Sequence, residues 1–285
     1  MILQKEIVAK AEAKRVAKST IDKDWVLGHF LSAIYSEPDL KRELIFKGGT
    51  CLKKCYIADY RFSEDLDFTA RHKEFELTEK HVQHITAHVE SNSGVHTYVD
   101  SLLPLKFKDE LMGYKAIIRF WGADHSQNEA PPTPDRWQTK IKLEIILYEL
   151  MVFDEAHRKV MHDYSDKIAL ETNEIPCYSI EEVMAEKLRA LIQRSYTAPR
   201  DFYDIWYLQK HYPELDFKNI VKAFHAKMKF KKLEFKGVEQ LMDESDDKKL
   251  RASWQSSLAH QIQEEALPEF DRVKKELTDL FKKIF

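Results

Sequence analysis

Hydrophobic and polar positions change their spacing along this chain in a way that separates two regions. In the first region, stretches with apolar residues three and four apart, which predict helices, are interspersed with alternating stretches, which predict strands. From about residue 178 the helical spacing continues to the end. The pattern predicts an α/β domain with N-terminal helices over residues 1–165 and a helical domain over residues 166–285. Helices are expected over residues 3–18, 22–35, 50–56 and 78–91, and strands over residues 44–46, around Asp65, and over residues 95–101, 114–121 and 140–147.

Start signals locate the beginning of two predicted helices, one in each region. Asp22 and Asp24 are acidic residues of the kind found in a first helical turn, so they predict where the second helix begins. Ser179, followed three residues later by Glu182, forms a capping-box pattern. This pair predicts a helix that begins there and runs to about Arg194.

Composition narrows the class of protein. Hydrophobic residues make up 44% of the 285 positions, which is enough for one large or two moderate domains with a core. No apolar run approaches the roughly 18 residues that span a bilayer, so no membrane partner is expected. The first residues lack the apolar stretch of a secretory signal, which predicts a cytoplasmic protein. The three cysteines contain no CxxC pair and are expected to be reduced thiols: Cys51, Cys55 and Cys177.

The net charge of −3 argues against a uniformly basic nucleic-acid binder, yet the lysines are unevenly distributed. Seven of them lie between Lys218 and Lys236, with Glu234 as the single acid and with phenylalanines between them. Such a segment is typical either of a surface that contacts RNA or of a solvated helix face anchored by buried aromatic rings. Both interpretations stay open.

The strongest chemical signal is a Gly-Gly-Thr turn between two predicted strands. Gly48 and Gly49 would let the backbone approach a phosphate closely, and Thr50 is expected to cap the helix that follows and, with the glycines, to contact the triphosphate. After fourteen intervening residues, Asp65 and Asp67 lie two apart on a strand, so their carboxylates point to one face. Paired carboxylates repel unless a divalent cation neutralises them, and Mg²⁺ prefers such oxygen ligands together with phosphates. The combination predicts a Mg²⁺ site beside a nucleoside triphosphate (NTP).

Around these residues the sequence resembles the AbiEii/AbiGii-type toxins of the nucleotidyltransferase superfamily, which belong to type IV toxin–antitoxin systems. Residues 46–56 fit the pattern FKGGTxLxKxY, and residues 61–68 read RFSEDLDF. Further matches lie at residues 181–191 and 200–204, so the resemblance covers most of residues 20–210. It implies an α+β fold with a nucleotidyltransferase-like mixed sheet and flanking helices, followed by a C-terminal helical domain that contributes active-site residues.

The resemblance also implies a reaction. Such an enzyme would use Mg²⁺ and transfer a nucleoside monophosphate from an NTP to RNA. The implied acceptor is the 3′ end of tRNA, and its modification would block translation and growth, as in phage defence. A separately encoded antitoxin is then expected. Two other interpretations stay open: a nucleotidyltransferase that modifies a protein or a small molecule, and a catalytically silent nucleotide-binding module.

Two further polar residues are expected near the aspartates. Alternation along strand 140–147 places Glu144 on the polar face together with Lys142. Glu144 could complete the metal site or accept a proton from the attacking hydroxyl, and an edge-strand charge pair with Lys142 is the alternative. Ser63 precedes Asp65 by two residues and is a candidate nucleotide contact, with a plain turn serine as the alternative.

Three charged residues stand out in the helical region. Lys187 falls within the apolar stripe of its helix, where an ammonium needs a protein carboxylate, a triphosphate, or a route by which its head reaches solvent. Arg200 and Asp204, four residues apart, indicate by themselves an exposed ion pair. The resemblance implies instead that Lys187 contacts phosphate, that Asp204 is a base or orients Lys187, and that Arg200 binds phosphate.

Overall fold

The chain forms two compact units in a computed structural model that describes residues 1–126, 128–194, 198–242 and 244–285. The first unit comprises Met1–Glu149 and Glu155–Cys177. The second comprises Leu150–Asp154 and Tyr178–Phe285. Among the helices of these described ranges, none is both long enough and apolar enough to cross a membrane.

The first unit is built on a seven-stranded mixed sheet with the strand order β3-β4-β5-β2-β1-β7-β6. β2 pairs in parallel with β5 and β1 in parallel with β7, whereas the other neighbours are antiparallel. This sheet and its helices confirm the predicted α+β class. The strands are β1 (Leu44–Lys47), β2 (Asp65–Ala70), β3 (His96–Phe107), β4 (Glu110–Trp121), β5 (Lys140–Ile146), β6 (Ala156–Arg158) and β7 (Ile175–Cys177).

The helices of the first unit pack its core around the longest one, α2. Residues such as Trp25 and Phe30 of α2 are fully buried, and α2 is buried on most of its circumference, as expected of a central helix. α5 begins at the Thr78 cap and ends at Gly94, which has a left-handed backbone. The helices are α1 (Gln4–Lys14), α2 (Lys18–Ser36), α3 (Pro38–Glu43), α4 (Gly48–Cys51), which continues as a π-helical turn over Leu52–Tyr56, and α5 (Glu79–Ser93).

The predicted start of α2 is wrong, because the helix begins at Lys18 and encloses both aspartates. Asp22 accepts a hydrogen bond from the Ala123 amide at 2.7 Å, and burial raises its pKa to about 8. The Asp24 carboxylate lies 2.7 Å from the Lys54 ammonium. These acids are therefore core residues, and their partners are too distant in sequence for a local pattern to reveal.

The first unit extends to Cys177, past the expected boundary at residue 165. The reason is β7, which adds to the sheet beside β1 with Phe46 opposite Cys177. The strands β6 and β7 were not predicted, since three residues are too few to show alternation.

The regular elements among the described residues of the second unit are all helices. Its first helix begins at the predicted Ser179, whose hydroxyl accepts from the Glu182 amide at 3.2 Å. Only this half of the capping box forms, because the Glu182 carboxylate accepts instead from the Val152 and Phe153 amides and lies 2.5 Å from the Lys227 ammonium. The helices are α6 (Ile180–Gln193), α7 (Pro199–His211), α8 (Phe217–Phe230), α9 (Glu244–Leu258) and α10 (Phe270–Ile284).

Candidate active site

The Gly-Gly-Thr turn makes room for functional side chains at the end of β1. Gly48 has φ +83°, and a Cβ atom there would lie 2.6 Å from Oδ2 of Asp67. A Cβ atom on Gly49 would lie 2.9 Å from Nη2 of Arg61 and 3.0 Å from Oγ of Ser63. Gly48 is therefore required by its backbone and by the Asp67 carboxylate, whereas a side chain at position 49 would displace the ends of Arg61 and Ser63 that cover Gly49.

Thr50 has a different role from the predicted helix cap. Lys47 occupies the cap position of α4, and its side chain makes no cap hydrogen bond. The buried Thr50 hydroxyl donates to the backbone carbonyl of Asp65 at 2.5 Å. Thr50 thus ties the helix after the glycines to the backbone of Asp65, the first residue of β2. This contact fixes the position from which the Asp65 side chain extends.

Three carboxylates occupy one face of the sheet, as the alternation predicted. β2 and β5 are parallel neighbours, with Asp65 opposite Lys142 and Asp67 opposite Glu144. The intervening residues of both strands, such as Leu66, are buried, whereas these four polar residues are partly exposed. β5 lies between β4 and β2, so the alternative is wrong in placing Lys142 and Glu144 on an edge strand, although the charge pair that it expected does form.

Lys142 is the central cation of this face. Its ammonium lies 3.2 Å from Oδ2 of Asp65 and 3.5 Å from Oε2 of Glu144. Burial acts to lower the pKa of Lys142, but the carboxylates of Asp65, Asp67 and Glu144 raise it above its usual value. The group keeps its positive charge and partly neutralises the three acids.

Asp67 is the residue most disturbed by this arrangement. Burial, together with the charges of Asp65 and Glu144, raises its pKa to about 6 against the opposing charges of Lys142 and Lys47. Three carboxylates against these two lysines leave an excess of negative charge and supply hard oxygen donors. This donor set fits a divalent cation, with Asp65 and Asp67 as the ligands.

A second charged cluster lies within the second unit. The Lys187 ammonium is 2.5 Å from Oδ2 of Asp204 and 3.1 Å from Oδ1 of Asp201, and its side chain is 11% exposed. The sequence left a protein carboxylate, a triphosphate or solvent open as the partner of the Lys187 ammonium. The structure shows two protein carboxylates in this position. Arg194 lies 3.2 Å from Oδ2 of Asp201 on the other side.

The exposed Arg200–Asp204 pair suggested by spacing alone is wrong. Asp204 is fully buried against Lys187, whereas Arg200 is exposed. Asp201 was not given a role from the sequence, although it lies three residues before Asp204. That spacing places both acids on one helix face, and this was the available signal.

The lysine-rich segment has a buried member. Lys227 is fully buried, and its ammonium donates to the carbonyl of Leu150 at 2.6 Å in addition to its contact with Glu182. The rings of Phe224, Phe235 and Phe285 pack against one another with centroids about 5 Å apart. These contacts fit the interpretation of a helix face anchored by aromatic packing, and an RNA track along the remaining lysines stays a prediction.

A glycine turn that leads from a strand of a mixed sheet to paired acids on the next strand is the arrangement of a nucleotidyltransferase. Residues 29–276 match the family model described as nucleotidyl transferase AbiEii toxin, type IV TA system. The chain belongs to this AbiEii family of toxins and is a nucleotidyltransferase. Membership implies an NTP substrate, typically used with a divalent metal, and a cognate antitoxin.

Solved structures show the same fold. MenT4, a nucleotidyltransferase toxin from Mycobacterium tuberculosis H37Rv, is 17% identical with a TM-score of 0.59, over 100% of this chain and 99% of that one. JHP933 from Helicobacter pylori is 18% identical with a TM-score of 0.54, over 94% and 93% of the two chains. A putative nucleotidyltransferase from H. pylori is 16% identical with a TM-score of 0.54, over 94% and 96%. No curated protein sequence matches this chain.

Proposed function

We propose that this protein is a Mg²⁺-dependent nucleotidyltransferase toxin that transfers a nucleoside monophosphate from an NTP to RNA, with the 3′ end of tRNA as acceptor. The observation that carries the proposal is the approach of Asp67 to Gly48, beside Asp65 and Glu144. The acids and the phosphate-binding turn thus share one corner of the first unit. The modified tRNA would no longer support translation in the cytoplasm, so growth would stop, which suits phage defence.

Each residue of this corner has a role in the proposed reaction. Asp65 and Asp67 would hold Mg²⁺, which supplies charge neutralisation and polarises the phosphates. The backbone at Gly48 and Gly49 would lie along the triphosphate, and the Ser63 hydroxyl over Gly49 would donate to a phosphate oxygen. These contacts, from the backbone of the glycine turn and from the Ser63 hydroxyl, would orient the NTP for in-line attack.

Glu144 is the proposed proton acceptor. An acceptor hydroxyl of the RNA forms a bond to the α-phosphorus of the NTP, the bond from that phosphorus to pyrophosphate breaks, and the hydroxyl proton passes to the Glu144 carboxylate. Lys142, which contacts both Glu144 and Asp65, would partly neutralise these carboxylates before substrate binds. Thr50 contributes by fixing the start of β2 rather than by touching the nucleotide with its side chain.

Charged residues of the second unit have proposed roles in substrate binding. Asp204 orients Lys187, a role that the 2.5 Å contact between them supports. Lys187 and the exposed Arg200 are proposed to contact phosphate groups of the substrate. Asp201 is added as a second residue that positions Lys187.

The experiment is a transfer assay with total RNA, Mg²⁺ and each α-radiolabelled NTP in turn. Wild type and Asp67→Asn are compared with Asp109→Asn, a matched control that changes an exposed carboxylate in the turn between β3 and β4. We expect a labelled tRNA-sized band with wild type and Asp109→Asn and no band with Asp67→Asn. Label on protein, label on a small molecule, no label with any NTP, or equal label with Asp67→Asn would overturn the RNA assignment.

A further inference from the structure

Three buried sulfurs meet directly behind the Gly-Gly-Thr turn, in a cluster that the transfer reaction does not use. The Sγ atoms of Cys51, Cys55 and Cys177 all lie within 4.8 Å of one another. Every cysteine of the chain is in this cluster, and each is buried.

Two local features bring the thiols together. Cys51 is the last residue of α4, and the π-helical turn that follows turns Cys55 towards the same side. Cys177 comes from β7, whose parallel pairing with β1 places it opposite Phe46, two residues before Gly48. Sequence spacing alone does not reveal the cluster, because its third member lies on β7, far along the chain from the other two.

Two polar groups lie near the Cys177 sulfur. The Tyr56 hydroxyl lies 3.6 Å from this sulfur, and the Arg158 guanidinium lies 5.2 Å from the centre of the Tyr56 ring. The hydroxyl can donate a hydrogen bond to a sulfur ligand, and the guanidinium supplies a positive charge nearby. A thiolate is the form of cysteine that binds metal ions.

We propose that Cys51, Cys55 and Cys177 form a structural binding site for a thiophilic metal ion, Zn²⁺ or Cu⁺. Thiolate ligands select these soft or borderline ions over Mg²⁺. Metal–sulfur bonds of about 2.3 Å place the sulfurs of one metal site about 4 Å apart, and the three sulfurs, all within 4.8 Å of one another, are close enough to share one ion. The ion enters during folding, because the folded cluster is buried.

The site would connect metal binding to the phosphate-binding turn. Cys51 follows Thr50 directly, so a metal bound to Cys51, Cys55 and Cys177 clamps the helix after the glycines to β7. This inference does not depend on the proposed transfer reaction, since the site uses none of the carboxylates of the active site.

The test uses full-length protein, unfolded and refolded under anaerobic, reducing conditions with or without metal. Cd²⁺ serves as the spectroscopic probe, because thiolate-to-cadmium charge transfer absorbs in the ultraviolet. Zn²⁺ and Cu⁺ are titrated in competition with chromophoric chelators, which also shows which of the two is preferred. We expect one equivalent of metal per chain, a charge-transfer band, and a higher melting temperature of the metal-refolded protein.

Variants separate the cluster from other sites. Cys177→Ser and Cys55→Ser should abolish the band and the thermal shift, whereas Tyr56→Phe should weaken binding about tenfold through loss of an outer hydrogen bond. Asp67→Asn, which alters the candidate Mg²⁺ site, should leave the cadmium band unchanged. Substoichiometric binding, a wild type with no thermal shift, or a band retained in Cys177→Ser would overturn the proposal and identify the cluster as packed thiols. The wild-type thermal shift keeps the test decisive if a cysteine variant fails to fold.

Discussion

The polar clusters around Lys142 and around Lys187 contain similar groups in different proportions. In the first unit, Lys142 is surrounded by three carboxylates that are partly exposed, and the pKa of Asp67 is raised to about 6. In the second unit, Lys187 and Arg194 face two carboxylates that are nearly or fully buried. The first cluster has an excess of negative charge that a bound cation can neutralise, whereas the second is balanced by the protein itself.

This difference teaches that buried ion pairs and ligand sites can be distinguished by counting charges. A balanced buried cluster stabilises the native arrangement of its helices and is strongly destabilised when one partner is lost. An unbalanced cluster is tolerated for what it binds, so neutralising one of its acids should damage function and spare stability. Three predictions test this contrast.

The largest expected effect is on stability in the second unit. Asp204→Ala removes a fully buried partner of Lys187, and we expect the free energy of unfolding to fall by roughly 3 kcal/mol. Urea denaturation followed by tryptophan fluorescence measures this change. Asp67→Asn is the matched change in the first unit and should leave the unfolding midpoint unchanged or raise it. A loss of stability in Asp67→Asn as large as in Asp204→Ala would remove the contrast.

The second effect is the pH dependence of stability and of divalent-cation affinity that the Asp67 carboxyl should cause. The pKa of Asp67 in the folded protein, about 6, is above the ordinary value of 3.8, so the folded state holds this proton more tightly than the unfolded state. The stability gained from that proton is present at low pH and is lost as pH rises through about 6. The carboxylate form, to which a metal ion would bind, predominates above about pH 6.

Divalent-cation affinity should therefore fall about tenfold per pH unit below about pH 6. Mn²⁺ binding, followed by electron paramagnetic resonance without nucleotide, measures it. Asp67→Asn should bind more weakly and show a shallower pH dependence. If the wild-type affinity does not change between pH 5 and 7, Asp67 is not a ligand.

The smallest effect concerns Lys142. Its ammonium competes with a bound cation for Asp65 and Glu144, so Lys142→Met should tighten Mn²⁺ binding several-fold in the absence of nucleotide. Lys140→Met is the matched control, because Lys140 is an exposed lysine two residues earlier on the same strand. Weaker Mn²⁺ binding in Lys142→Met would show that the lysine organises the carboxylates rather than competing for them.

Long periodic segments made much of the fold predictable. The alternation of β5 and the helical spacing of α5 appear where expected, and the period of two correctly placed Asp65, Asp67 and Glu144 on one face. Three-residue strands such as β7 were missed, because they carry too little pattern. The sequence therefore predicted elements whose hydrophobic signal is local and repeated.

Residues whose roles depend on distant partners could not be predicted in this way. Asp22 and Asp24 are acidic residues of the kind that begin helices, but their partners, Ala123 and Lys54, lie in other parts of the chain. Thr50 was expected to cap its own helix, and it instead binds the Asp65 carbonyl. In these cases tertiary contacts override local propensity, and only the assembled sheet shows them.

The pairing of β1 with β7 also has a consequence for biosynthesis. β1 and β2 leave the ribosome early, but the parallel neighbour of β1 is made only after the chain has produced Leu150–Asp154 of the second unit and returned to the first. Until then one edge of β1 stays unpaired, and an open strand edge is a site of aggregation in nascent chains. A ribosome that stalls before Cys177 would therefore release a fragment with an incomplete sheet, so truncated translation products of this toxin should be removed by proteolysis rather than persist as folded proteins.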